Sequence, residues 1–424
     1  MSTPSFQTKL SESNSAKSYL IPFILVTSLF FLWAFVHNLE PILIPHLKKA
    51  CQLSDLESAL IDSAVYIGYL VMAIPAGLFM KRYGYKKGIL IGLLLYAIGA
   101  LLFLPAASTR IYIFFLGALF IVASGCAFLE TAANPYVTIL GKPETATTRL
   151  NFSQSFNGLG AFFAPLIGGH MILSGIEHSD AEITSMSAQQ LNQYLQMEAD
   201  AVKIPYLIIA IVVLAVATLI YFTSMPEVPL NEKSQKSGVF KALKHPQLKW
   251  GVLAQFFYVG GQVCVTSFFI RFAKYTSNTP EKDAAVWLGI AMFGFMVGRF
   301  AGTFLTRFVA ANRLLAIYAF ICIFLLAVAT FVKSELAVWA LFAVPFFESI
   351  MFPTIFSLAI EDIKEDTEIG SSLVVMAVAG GAFFPVLMGL ISDRSNIQLS
   401  YVVPLLCFFI IAWYGIRGYK PQKI

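Results

Sequence analysis

Ala127-Phe128-Leu129-Glu130-Thr131-Ala132-Ala133-Asn134-Pro135 lies near the end of an apolar run that begins around Ile111. A charge inside such a run is costly, roughly 2.5 kcal/mol or more at the centre of a membrane helix on insertion scales. On a helix Glu130 and Asn134 share one face, a turn apart. Pro135 removes a backbone donor beside them and loosens the helix there. Glu130 is therefore either a structural acid bonded to a neighbouring helix or the working part of the molecule, and intramembrane acids default to function. A carboxylate facing a closed cavity can bind and release a proton.

The rest of the chain agrees with a membrane setting. Of its 424 residues 58% are hydrophobic and only 12% are charged, against about 25% charged in soluble domains. That density cannot cover a water-facing surface. Apolar runs of about 18 residues or more recur throughout, which implies helical spans rather than barrel strands. The net charge of +5 is scattered over short loops and implies no nucleic-acid partner. The cysteines Cys51, Cys126, Cys264, Cys322 and Cys407 form no CxxC pair, so neither a disulfide framework nor a metal site is expected. His37, His46, His170, His178 and His245 have no ligand-like spacing and receive no role.

In order, a polar tail at 1–18 precedes a first span over about 20–44, which carries Asn38, Glu40 and Pro41. The first apolar run is followed by no small-residue cleavage site and is read as retained. Ser54-Asp55-Leu56-Glu57 is a capping box opening the second span. Lys81-Arg82-Tyr83-Gly84-Tyr85-Lys86-Lys87 is a short basic turn. Spans three to six follow, ending near 223, with a short surface helix expected at about 188–197. The stretch 224–249, with Pro226, Pro229, Pro246 and several lysines, is the linker. Six more spans are expected at about 250–274, 284–306, 314–332, 336–360, 371–391 and 401–416. The expected fold is all-α, with about twelve membrane helices in two six-helix halves, 19–223 and 250–418, and a tail at 419–424. With both termini in the cytoplasm, the inner loops hold roughly twice the Lys and Arg of the outer ones, as the positive-inside rule favours. Trp250, Trp287, Trp339 and Trp413 fall near span ends, as an interfacial belt would.

The halves look related. Gly77 with Arg82-Tyr83 recurs as Gly302 with Arg307-Phe308, Glu130-Thr131 with Pro135 as Glu348-Ser349 with Pro353, and Gly160-Ala161-Phe162-Phe163 as Gly381-Ala382-Phe383-Phe384. Parallel repeats of this kind build carriers with the site near the midplane between them. Gln154 and Asn157, three apart in span five, offer the donors and acceptors that sugar hydroxyls need; helix–helix bonding is the plainer use of such residues. Gln255, Tyr258 and Gln262 in span seven form one continuous face, either a sugar contact or a packing stripe. Asn38 and Glu40 are similar candidates, with Pro41 expected to break the helix beside them; Glu40 could equally be solvated near the outer water. Glu348 is a candidate through repeat symmetry, or else a structural partner of Arg299. Gly77, Arg82, Gly84 and Lys86, with Arg307 as counterpart, are gating candidates that also anchor the inner face.

These residues carry a resemblance. Phe30-Phe31-Leu32-Trp33-Ala34, the Leu129–Pro135 block, Arg149-Leu150-Asn151 with Gln154 and Phe156-Asn157, Leu253-Ala254-Gln255-Phe256 with Tyr258 and Gln262, Pro353-Thr354-Ile355-Phe356-Ser357-Leu358 and Gly370-Ser371-Ser372 resemble the fucose–proton symporter family of the major facilitator superfamily. Two positions depart from the family pattern. Lys81 stands where an aspartate is usual, and Pro41 stands at the span-one position of a second essential acid, with Glu40 just before it. The extra acid Glu348 is a further difference.

The resemblance implies a monomeric symporter in a bacterial inner membrane, importing a hexose such as L-fucose, galactose or glucose with a proton and no other cofactor. Glu130, and Glu40 beside the displaced position, would couple the proton. A carrier for an amino sugar, a proton-independent uniporter and a non-transporting sugar sensor are the alternatives. No nucleophile–base pair, metal cluster or phosphate loop suggests an enzyme.

Overall fold

A computed structural model describes residues 6–141, 145–173, 175, 178, 180–226, 242–363 and 366–420. Residues 227–241, most of the expected linker, lie outside the described residues, as do the ends of both tails.

Among the described residues all regular structure is helical. The first half contains α1 (Phe6–His37), α2 (Glu40–Ala50), α3 (Asp55–Tyr83), α4 (Tyr85–Thr109), α5 (Tyr112–Ile139), α6 (Ala146–Ile172), α7 (Asp180–Ser185), α8 (Ala188–Asp200) and α9 (Lys203–Phe222). The second contains α10 (Pro246–Ser267), α11 (Phe269–Ser277), α12 (Glu281–Leu305), α13 (Ala311–Phe331), α14 (Glu335–Glu348), α15 (Met351–Ala359), α16 (Thr367–Met376), α17 (Gly380–Arg394), α18 (Ile397–Ser400) and α19 (Val402–Trp413). Among the described residues ten segments are long and apolar enough to cross a membrane, and α10 with α11, bent by 50°, makes an eleventh. α6 has the same length but is diluted by Arg149, Asn151, Gln154 and Asn157. Together they stand at the twelve expected places.

Helix ends follow local chemistry. Ser54 accepts from the Glu57 amide at 3.1 Å and the Glu57 carboxylate accepts from the Ser54 amide at 2.8 Å, completing the predicted box. The predicted surface helix is longer than expected, α8, and starts in a second box between Ser187 and Gln190. It is not merely superficial, because Glu198 and Ala199 are buried where α8 packs on α2 and α4.

Three spans are broken at the position four residues before a proline. α1 ends at His37 before Pro41, the α14–α15 break includes Ser349 before Pro353, and α18 ends at Ser400 before Pro404. A proline ring clashes with the carbonyl four residues back and lacks the N–H that would bond it. Pro135, Pro165 and Pro385 sit within unbroken helices. A proline thus sets the position of these three breaks without being sufficient for one, and the 50° bend at Phe268 has no proline four residues on.

Within the first half α5 packs on α3 and α4, and α1 on α6; within the second α10 packs on α17 and α19, and α13 on α14 and α19. The halves meet where α3 lies on α17 and α6 on α12. The tryptophans at span ends pair on each side: Trp250 with Trp413 at 4.8 Å, and Trp287 with Trp339 at 5.2 Å between centroids.

The contact between α10 and the start of α17 is close enough to demand glycine. A Cβ at Gly380 would fall 1.9 Å from the Phe256 carbonyl oxygen, a backbone atom that cannot step aside, whereas one at Gly77 would meet nothing within 4 Å. Gly380→Ala is expected to destabilise the chain by about 1–3 kcal/mol, read as a lower midpoint of thermal unfolding in detergent, while Gly77→Ala leaves that midpoint unchanged. Equal midpoints would show that α10 and α17 are not held this tightly.

Candidate functional site

Glu130 sits mid-helix on α5, inside a span, yet it is exposed to solvent. Its charge acts on His37, Tyr66 and Tyr69 of α1 and α3, so its exposed side faces the interior between helices. Asn134, one turn on, donates from Nδ2 to the Glu130 carbonyl at 2.9 Å and accepts at Oδ1 from Gln154 Nε2 of α6 at 3.0 Å. Arg149 fastens the start of α6 to the end of α5, donating to the Val137 carbonyl at 3.1 Å and the Thr138 carbonyl at 2.6 Å. The predicted residues Glu130, Asn134 and Gln154 are therefore brought together on two helices that are tied to each other. Asn157, a turn further along α6, is half-buried; the side chain of Asn151 is not among those described.

The first span joins the candidate Glu40 to His37, a residue expected to have no role. The break at Asn38 turns His37 and Glu40 toward each other, with Glu40 Oε1 lying 2.8 Å from His37 Nδ1. His37 Nε2 lies 3.0 Å from the Tyr66 hydroxyl of α3. Asn38 itself bonds back to the Ala34 carbonyl at 2.8 Å. Glu40 is thus buried and paired rather than solvated. The three-residue step from His37 to Glu40 was readable as one helix face; Tyr66 was not, being remote in sequence.

The second half is arranged differently. Tyr258 is fully buried, and its hydroxyl donates to the Glu348 carbonyl at 3.0 Å. Glu348 and Gln255 are also fully buried, and among the described residues none of their side-chain polar atoms has a hydrogen-bond partner. Arg299 does not pair with Glu348; its Nε donates to the Ser349 carbonyl at 3.2 Å and its guanidinium lies 4.9 Å from the Phe295 ring centre. Gln262 is half-buried. Of the span-seven face, only Gln262 keeps access to solvent.

The two faces of the molecule differ as well. Among the described residues, the ion pairs that join the halves lie on the face away from the termini. Arg271 of α11 donates to Asp55 Oδ1 at 2.6 Å and to Ser58 Oγ at 2.9 Å. Lys48 reaches the same Asp55 oxygen at 2.6 Å, and Ser392 donates to the other at 2.6 Å. Asp393 of α17 accepts from the amides of Asp55 and Leu56 at 2.7 and 2.8 Å, so the second half supplies an N-terminal cap to a helix of the first. Glu281 bridges Lys49 and Lys274, each at 3.2 Å.

On the face with the termini, the predicted gating residues cross no such seam. Arg82 and Arg307 are exposed, Arg82 beside the Tyr83 ring of its own helix and Arg307, just past the end of α12, beside the ring of Phe304. Gly84 turns the chain from α3 to α4 at φ +85°. Lys86 donates to the Tyr221 and Thr223 carbonyls at 2.9 and 2.8 Å, closing the end of α9. Gly77 is half-buried. One face is latched, and among the described residues no ion pair joins the halves on the other. An apolar groove near the face with the termini, lined by Trp250, Phe256, Leu373 and Met376, contains none of the predicted site residues.

The family model of the Major Facilitator Superfamily matches residues 23–384. The chain is 40% identical over 414 residues to a glucose/galactose transporter of Brucella abortus, covering 96% of this chain and 97% of that one. It is 41% identical over 420 residues to the L-fucose-proton symporter of Escherichia coli, covering 96% and 95%. The crystal structure of a major facilitator superfamily transporter, FucP, in the outward conformation superposes with a TM-score of 0.69 at 40% identity, covering 96% of this chain and all of that one.

The latch is open to a direct test. Removing one partner of a buried ion pair costs about 3–5 kcal/mol because the other charge is stranded. Arg271→Gln is expected to loosen the sealed face, read as faster amide hydrogen exchange at Asp55 and Leu56. Unchanged exchange there would show that the pair does not hold the halves together.

Proposed function

The chain belongs to the major facilitator superfamily, and from that premise we propose that it is a proton-coupled symporter for a hexose, L-fucose or a related sugar such as galactose or glucose. The observation that carries this is the position of Glu130: an acid inside a membrane span, open to water on its interior side and flanked by the bonded amides of Asn134 and Gln154. The names of the two relatives supply the class of solute. Amide groups that present donors and acceptors side by side suit the hydroxyls of a sugar.

In this reading the latched face is the outer one and the other face is cytoplasmic, with both termini inside. Protonated Glu130 and bound sugar together permit the halves 19–223 and 250–418 to rock about their shared interface. Glu130 then gives up its proton to the cytoplasmic side as sugar leaves. The His37–Glu40 pair is the second proton-handling group, standing beside the break in span one. Asn38, Asn134, Gln154, Asn157 and Gln262 are the sugar contacts that need no rearrangement. Gln255, Tyr258 and Glu348 would have to be uncovered by movement of α10 against α14 before they could touch a solute. The protein acts as a monomer.

Glu130→Gln separates coupling from binding. With one proton per sugar, a gradient of one pH unit drives about tenfold accumulation. In proteoliposomes the variant is expected to lose that accumulation while retaining counterflow of labelled sugar. Concentrative uptake surviving unchanged would remove Glu130 from the coupling site, and absent counterflow in the native chain would favour a sensor. Competition among fucose, galactose, glucose, mannose and N-acetylglucosamine identifies the sugar.

A further inference from the structure

Asp62 lies apart from the Glu130–Asn134–Gln154 group and from the His37–Glu40 pair. It lies on α3, on the helix face that carries Asp55, Ser58 and Tyr66 at successive turns, a spacing that aligns side chains along one edge. That edge is the seam between the halves. Asp55 and Ser58 bind Arg271, and Asp62 Oδ1 accepts from Ser267 Oγ of α10 at 2.8 Å. Next along the seam, Ser63 donates to the Ala382 carbonyl of α17 at 2.7 Å. Asp62 is fully buried, and Oδ2 has no hydrogen-bond partner among the described residues. Arg271, the one cation on the facing helix that acts on Asp62, has its Nη1 engaged by Asp55 and Ser58.

A carboxylate in this place would leave half of its charge bare inside the protein, which costs several kcal/mol. A carboxylic acid would not. The groups around it offset the charge only in part: Ser267, Arg271 and His37 favour it, but among the described residues no donor reaches Oδ2. From span one it faces Glu40, an acid that repels it, and His37, already held by Glu40 and Tyr66. From its own helix it faces Tyr66, from span four Tyr112, and from span seven Ser267, Cys264 and Arg271. On α17 the nearest named acid, Asp393, is committed to the amides of Asp55 and Leu56.

We propose that Asp62 is a proton-binding site whose protonation permits the face away from the termini to close. When the halves part at that face, Asp62 meets water and ionises, and the proton returns to it from that solvent before the seam can re-form. The proton goes onto the unbonded Oδ2, and Ser267 remains the donor to Oδ1. Asp62 thus stands between the latch at Asp55–Arg271 and the His37–Glu40 pair, a third acid on the path from the sealed mouth toward Glu130. The inference rests on the reading of the chain as a proton-coupled carrier, but its test requires no sugar.

Nitroxide labels at Gln193→Cys and Ser395→Cys, both exposed and on opposite sides of the seam, report opening of that face as a pulsed-EPR distance in the full chain carrying Cys51→Ser. For one linked proton the ratio of open to closed rises by up to about tenfold per pH unit as pH increases through the titration. Asp62→Asn, which cannot ionise, is expected to stay closed at every pH, while Asp62→Glu keeps a pH-dependent opening. Asp62→Ser, expected to behave as the Asn variant, serves if that one does not fold. The same series in a Glu130→Gln background is expected to behave identically. A native chain with no pH dependence, or Asn and Ser variants that keep the native dependence, overturns the proposal. Loss of the dependence in Glu130→Gln alone overturns it too, while leaving Glu130 as the coupling acid.

Discussion

Charge inside a low-dielectric slab must be paired, neutralised or turned toward water, and the arrangement of this molecule follows from that constraint. Asp55 and Arg271 satisfy it by pairing across the halves, and they thereby latch one face. Glu40 satisfies it by turning back onto His37. Arg299 bonds a freed carbonyl at the break in span ten and rests on an aromatic ring. Glu130 alone among the candidate acids meets it by facing water in the interior. The difference between Glu130 and its neighbours is one of access rather than of residue type.

The backbone supplies the places where such groups can sit. Prolines at 41 and 353 move the helix breaks to 38–39 and 349–350, beside Glu40 and Glu348. In span one the break leaves His37 and Glu40 able to meet. In span ten it frees the Glu348 and Ser349 carbonyls, which take Tyr258 and Arg299 as donors. Span four keeps Pro135 within a continuous helix, and Asn134 rather than a break provides the local bond. The repeat that relates Glu130 to Glu348 in sequence therefore ends in two different environments, one wet and one sealed.

Much of this was legible before any fold. The capping box at Ser54, the span positions, the tryptophans at span ends and the proximity of Asn134 to Glu130 all depend on residues a few positions apart. His37 was passed over because a lone histidine without ligand spacing usually signals nothing, and its second partner, Tyr66, lies on another helix. Tyr258 and Gln255 share a face with Gln262 by spacing, yet α10 is enclosed by α15, α17 and α19, which covers the first two and leaves the third accessible. Asp62 drew no reading from the sequence, although it stands in register with Asp55 along one edge of α3.

The amino-acid sequence by itself determined that this is a helical membrane protein of two related halves, because apolar length, charge density and proline position act locally and survive any packing. It also singled out Glu130, since an acid in an apolar run is costly wherever that run is packed. The tertiary structure alone decided which polar groups face water and which face each other. Pairing of Asp55 with Arg271, of His37 with Tyr66 and of Asp62 with Ser267 joins helices far apart in the chain, and the cost of burying a charge depends on the partner that arrives rather than on the residue that waits for it.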